Sequence, residues 1–333
     1  MRSNAILRIV LYSIAIIVLL GILIGGIAVG LYVIDVDGHH SEVHHTPIAT
    51  DRNEAWTALD VKEIQNIKID WVSGSITIEP DSTSKQIVVK EIGLTGEDTA
   101  MVCKRNGDTL EIEYQKETDF VFGMTESFTK DLIITVPMGW VCDTLVIDTA
   151  SAEVTVSDLV IEKFDFDGAS GVCRLQNCCI DKIDMDTASG NIYFEGTLNA
   201  LDCDAASASC EIVVNNVPEY IEMEMASGDL NLTLPENCGF TVDLSTASGQ
   251  FASDFETTCK DDSHTHSVHT HGDGSCHIEV NAMSGDVTIH KAPSAPTATI
   301  PYCQDPNCTD PNHDHSAVCT DEDCTLPHHS NHH

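Results

Sequence analysis

Two segments of this sequence concentrate side chains able to hold a metal. One is a loop that places His264, His266, His269 and His271 between Cys259 and Cys276. The other is the C-terminal tail, with Cys303 and Cys308, His313 and His315, Cys319 and Cys324, then His328, His329, His332 and His333. Imidazole and thiolate suit zinc and other borderline divalent metals, and four of them close a site. Zinc or a similar divalent metal is therefore the one cofactor these residues suggest. The Cys-x4-Cys spacing, found twice in the tail, is looser than the Cys-x2-Cys of zinc ribbons. The competing reading is a polar tail whose cysteines are incidental or pair as disulfides. The loop has its own alternative, in which Cys259 and Cys276 close it as a disulfide and only the histidines remain as ligands.

Catalytic patterns are missing. There is no His-Glu-x-x-His pair. Serine recurs at 73, 151, 170, 189, 207, 227, 248 and 284, but never in a Gly-x-Ser-x-Gly elbow. A serine repeated at one point of every unit reads as a structural ladder. The carboxylates fall in regular rows instead of one unique acid–base pair, which disfavours a carbohydrate-active β-helix hydrolase. The chain is expected to be no enzyme.

The elements that must carry these groups show in the spacing of those serines. From Ser151 to Ser248 the centres lie 18 to 21 residues apart. Six and four residues before each serine the positions are apolar or Cys, as in Ile67 and Ile69, Ile183 and Met185, or Leu201 and Cys203. Three and five residues after it they are mostly apolar, as in Ile76 and Ile78 or Leu230 and Leu232. Alternation with a period of two predicts strand, small-residue corner, strand. A repeat of about 20 residues cannot bury one apolar face alone, so stacked coils must share a core. The fold expected is all-β: a β-solenoid.

The outward columns are acidic. Five residues before the serine stand Asp165, Asp184, Asp202, Glu222, Asp243 and Glu279; three before it stand Asp70, Asp148, Asp167, Asp186, Asp204 and Glu224. Stacking would align them into two rows. One reading is that the rows keep a long β surface soluble and block strand addition. The other is a polyanionic stripe for divalent cations or cationic peptides.

Composition points the same way. The 333 residues include 16 Lys and Arg against 53 Asp and Glu, a formal net charge of −37. That excludes nucleic acid as a partner and disfavours adsorption to anionic lipid. It favours cations and basic protein surfaces. Of the 14 cysteines, Cys173, Cys203 and Cys210 fall at core positions and read as small buried hydrophobes. An extracellular location would ordinarily bring disulfides, whose connectivity the sequence does not give.

Along the chain, residues 9–34 are uncharged and long enough to span a bilayer as a helix. Arg2 and Arg8 precede the helix and an acidic stretch follows it, which predicts a cytoplasmic N-terminus and an extracytoplasmic remainder. Residues 1–34 thus read as a single-pass signal anchor in the plasma membrane, and 35–60 as a juxtamembrane spacer. Residues 61–292 form the solenoid, with the His-rich loop 259–276 extruded between two successive coils. Residues 85–137 break the period, cap or broaden the first coils, and contain a hairpin signal at Asn106-Gly107-Asp108. Residues 293–333 are a Cys/His-rich tail too poor in apolar residues to fold alone, and are expected to be disordered.

The run Ile67 to Ile78, the later Thr-Ala-Ser-Gly repeats, and Leu132-Ile-Ile-Thr-Val-Pro137 carry a resemblance. From about Val61 to Lys291 the chain resembles the bacterial putative-adhesin family of β-strand-repeat proteins, a domain of unknown function. The resemblance implies a β-solenoid in an envelope protein, tied by analogy to adhesion or envelope-stress signalling. It supplies no catalytic residues, and the His loop and tail depart from it. The expectation is a membrane-anchored, non-enzymatic binding or scaffold module, with envelope proteins or cationic peptides as partners. The alternative is an extracytoplasmic zinc-type metal-binding protein.

Overall fold

The computed structural model describes residues 43–45, 48–51, 54–93, 100–115, 129–263 and 265–293. The expected anchor at 9–34, His264 and every tail ligand lie outside them. Among the described residues no helix is long and apolar enough to cross a membrane.

The described chain is built of strands, in a solenoid-like stack with two walls. In β4 (Asn66–Asp81) the side chains of Ile67, Ile69 and Trp71 are buried before the corner, and those of Ile76 and Ile78 after it. The corner at Ser73 and Gly74 turns the strand, so both halves face one core. The period-two pattern recurs in β9 (Val141–Ser157), in β10 (Val160–Gly168), and in β11 (Val172–Val214), which runs through several corners without a break. Neighbouring coils stack in parallel and in register. Leu145 faces Ile67 on one side and Phe164 on the other, and Phe164 in turn faces Ile183. Any slip by one residue would turn the whole apolar set outward, so burial itself fixes this register.

The corners stack so closely that the backbone of one meets the next. Gly228 has φ +140°, and a Cβ there would sit 1.7 Å from the carbonyl oxygen of Ala208. Only glycine fits such a site. Where alanine replaces it, at Ala152 and Ala208, φ is not positive and the methyl group is buried.

At the N-terminal end the chain leaves β4, makes β5 (Gln86–Ile92), then the hairpin of β6 (Val102–Asn106) and β7 (Thr109–Glu113), then β8 (Asp131–Pro137). The hairpin turns where the sequence predicts, pairing Asn106 with Thr109. Strands β7 and β8 lie parallel to the two halves of β4 on its outer edge, while β9 takes the inner edge. The insert therefore caps the stack, and the first coil in sequence is second in space. The cap is extended by β3 (Glu54–Asp60) against β5; β1 (Val43–His45) joins β6 and β2 (Ile48–Asp51) joins β3. Beneath it sits a buried ion pair, Lys130 Nζ 2.9 Å from Glu91 Oε1. The second Glu91 oxygen accepts from the Met101 amide at 2.6 Å, and Lys130 donates to the Gln115 carbonyl at 2.7 Å. Charges leave water here because each is paired and hydrogen-bonded. Trp71, edge-on to Tyr114 at 5.0 Å, donates its indole N–H to the Lys130 carbonyl.

The C-terminal end is interlaced as well. After β12 (Tyr220–Ser227) and β13 (Leu230–Leu234) come β14 (Phe240–Ser248) and β15 (Phe251–Ser253), then β16 (Thr258–Ser263) and β17 (His266–His271), then β18 (Cys276–Ser284) and β19 (Val287–Lys291). The last coil does not end the stack. Ile278 of β18 faces Ile221 on one side and Val242 on the other, and β19 lies between β13 and β15. The segment expected as a loop between successive coils is instead an antiparallel hairpin, β16 with β17, on the outer edge of β14. The chain then crosses over the end of β14 at Gly239. Its carbonyl accepts from Ser275 Oγ at 3.1 Å and from the Cys276 amide at 3.0 Å.

The hairpin forms because the core needs a lid at this end. His269 stacks on Phe251 at 4.1 Å, and His271 lies 5.4 Å from Phe240 and 4.8 Å from Phe255. Imidazoles do the work that aliphatic residues do elsewhere, so the segment shows no hydrophobic alternation. The loop-closing disulfide is ruled out by the same arrangement. Cys276 is buried on β18 and Cys259 exposed on β16, with β14 and β17 between them. Three strand spacings of about 4.8 Å far exceed the Cα separation of about 7 Å that a disulfide tolerates.

Candidate binding face

The outward side chains of the first wall form the two rows expected from the sequence. In one, Asp70 faces Asp148, Asp148 faces Asp167, and Asp167 faces Asp186. The row continues with Asp204 facing Glu224, then Asn281, Ser245 and His266. In the other, Asp165 faces Asp184, Asp202 faces Glu222, Glu222 faces Glu279, and Glu279 faces Asp243. Because the last coil is interlaced, Glu279 precedes Asp243 in the row. Glu113 of the N-terminal cap, opposite Asp70, extends the first row and escapes a reading confined to the repeats. Its signal is the alternation of Leu110 and Ile112 with Glu111 and Glu113.

Carboxylates stacked across strands repel one another, and their ionisation shows it. Burial, then the charges of Asp148, Asp186 and Asp165, push Asp167 up to about 6. Burial, then Glu224, Asp186, Asp202 and Glu222, push Asp204 up to about 7. Asp70, Asp186 and Glu222 are raised for the same two reasons, burial first.

Compensating charge is uneven. Lys163 lies 2.6 Å from Asp165 and 3.6 Å from Asp184, Lys182 lies 3.9 Å from Asp184, and Lys68 lies 3.7 Å from Asp148. Along the other half, the basic partners that the described residues show are imidazoles: His277, 3.9 Å from Glu279, and His266, 3.2 Å from Asp243. The surface around Asp202, Asp204, Glu222 and Glu224 is therefore anionic without a lysine or arginine paired to it among the described residues.

His266, Asp243 and Ser245 are of the types found in a catalytic triad. Both contacts use the same ring nitrogen, Nδ1, at 3.2 Å to Asp243 and 3.4 Å to Ser245 Oγ. A triad needs one nitrogen for the acid and the other for the nucleophile, so this is not one.

The candidate metal ligands of the hairpin are divided. His266 faces the acidic wall, whereas His269 and His271 pack on the phenylalanines, and His271 Nδ1 donates to the Glu256 carbonyl at 2.7 Å. Among the described residues no three His, Cys, Asp or Glu side chains group as a metal site. His264, Cys303, Cys308, His313, His315, Cys319 and Cys324 lie outside those residues.

The family described as Toastrack DUF4097 matches residues 64–290. No curated protein matches the chain. A solved "putative cell adhesion protein" from Clostridium sporogenes is 11% identical over 74% of this chain and 100% of its own, with a TM-score of 0.34. A "putative adhesin" from Bacteroides fragilis is 12% identical over 73% and 98%, with a TM-score of 0.40. Another from Parabacteroides distasonis is 14% identical over 73% and 98%, with a TM-score of 0.32. Likenesses this distant carry no argument about binding.

Proposed function

Since the chain belongs to the Toastrack DUF4097 family, we propose that it is a non-enzymatic binding module, anchored in the plasma membrane with its β domain outside. The uncharged run 9–34, with Arg2 and Arg8 before it and an acidic flank after it, supports that orientation. The observation that carries the binding role is the double carboxylate row, uncompensated by lysine or arginine of the described residues around Asp202 to Glu224. A rigid wall with acidic groups spaced by about 4.8 Å suits an extended basic segment, whose lysines would replace the missing counter-charge. The partner class is a basic stretch of an envelope protein, or a cationic peptide.

The test is titration of a lysine-rich peptide onto the full chain in detergent micelles. Binding is expected to weaken with ionic strength, as contacts between exposed charges must. Replacing Asp202 and Asp204 with Asn, and Glu222 and Glu224 with Gln, is expected to weaken it at least tenfold (about 1.4 kcal/mol). At pH 9, where Asp204 too is ionised, replacing exposed Glu79, Glu195, Glu211 and Glu256 with Gln changes net charge equally. Equal weakening by both sets would mean that bulk charge, not the wall, binds the peptide.

A further inference from the structure

Two cysteines meet inside one coil. Cys203 on the first wall and Cys210 on the second lie either side of the corner Ala206-Ser207-Ala208, within β11. Each is 1% exposed, both belong to one core cluster, and the Cys210 side chain lies close enough to act on the Cys203 thiol. In the other coils the same two inward columns hold pairs such as Ile69 with Ile76, Met223 with Leu230, and Val280 with Val287. A small buried hydrophobe is explanation enough for one cysteine, as at Cys173, whose counterpart across the corner is Phe166. It does not explain cysteine in both columns of one coil, on the two walls that share one core, with Ala205 and Ala208 beside them.

We propose that Cys203 and Cys210 form a disulfide that ties the two walls of this coil together. Two thiols give up two protons and two electrons, and a sulfur–sulfur bond forms. The acceptor is a disulfide compound, which is cleaved to two thiols through a mixed disulfide with one of the cysteines. The neighbouring Cys210 side chain, and burial, hold the Cys203 thiol well above its ordinary range. The attacking thiolate is thus scarce once the core has closed, and the bond belongs to the folding of the coil. The extracytoplasmic siting proposed above would supply an oxidising compartment. The bond itself rests on the geometry and can be tested without that reading.

The full chain, reduced and unfolded in detergent, is refolded in mixed reduced and oxidised glutathione. It is then unfolded without reductant and alkylated with iodoacetamide. The expected result is that Cys203 and Cys210 stay unalkylated and that the peptide spanning them is lighter by two hydrogens. Cys142, buried with no cysteine beside it among the described residues, is alkylated in the same sample. In Cys210→Ala, Cys203 is expected to become alkylated. Alkylation of Cys203 and Cys210 to the extent of Cys142 overturns the proposal, as does finding either one bridged to a different cysteine or to glutathione. The mass of the wild-type peptide decides the matter even if the variant does not refold.

Discussion

Asp204 is pushed up first by burial and then by the carboxylates stacked around it. Its folded value of about 7, and that of Asp167 at about 6, lie above those of the unfolded chain. Between the ordinary carboxylate range and about pH 7 the folded protein therefore holds more protons than the unfolded one. Stability from these groups is complete at the acidic end and is lost as pH rises, first through about 6 and then through about 7. The melting temperature of the full chain is expected to fall from roughly pH 5 to pH 8, and Asp204→Asn to flatten that fall. A profile unchanged by the substitution would show that the wall carries no such strain. The sequence made the two rows legible, because residues at fixed distances before each serine must align once coils stack. It did not show Glu113, which belongs to no repeat. Nor did it show how deeply Asp204 sits, since that depends on side chains one coil away.

Single strands carry different constraints on their edges and corners. At the corner after β12, Gly228 both adopts a conformation that side chains resist and lies against the Ala208 carbonyl. Gly228→Ala is expected to cost about 1–3 kcal/mol from backbone strain, and more from the clash. Ala208→Gly, in the neighbouring coil, is expected to cost about 0.5–1 kcal/mol from backbone freedom and roughly 0.8 kcal/mol from the lost buried methyl, without a clash. Urea denaturation of the two variants checks this, and equal losses would mean that the corners are not packed backbone to backbone. Corners and inward columns were the easiest features to read, because Ala-Ser-Gly and period-two alternation recur. The β6–β7 hairpin was equally plain from Asn106-Gly107-Asp108. The β16–β17 hairpin was not, because its inward residues are His269 and His271. Their packing value exists only beside Phe251, Phe240 and Phe255, and those contacts appear only once the strand is folded back.

For the whole molecule, the stack does not follow the order of the chain. Strands β18 and β19 fill a slot between coils that precede them both in sequence. Ending the chain at Ser275 is expected to remove amide-exchange protection from residues 240–271 as well, while 141–214 keep theirs, since each coil is held mainly by its neighbours. Persistent protection at 240–271 would mean that β14 has dropped onto β12 to close the gap. The sequence could not disclose this. The inward columns of β14 and β18 are alike, Val242 and Leu244 against Ile278 and Val280, so either could follow β12 by pattern alone. The choice is made by the chain crossing at Gly239, where Asp273 and Ser275 pack against a backbone with no side chain in the way.

The crossing also decides how the domain answers a pull. The described chain ends just past β19, a strand held on both edges. Were that coil the last in the stack, tension on the segment beyond Lys291 would peel it away one hydrogen bond at a time. Held between β13 and β15, with β18 held between β12 and β14, it must break two ladders together. Load entering from the C-terminal side is thus shared by coils on either side of the point where it is applied.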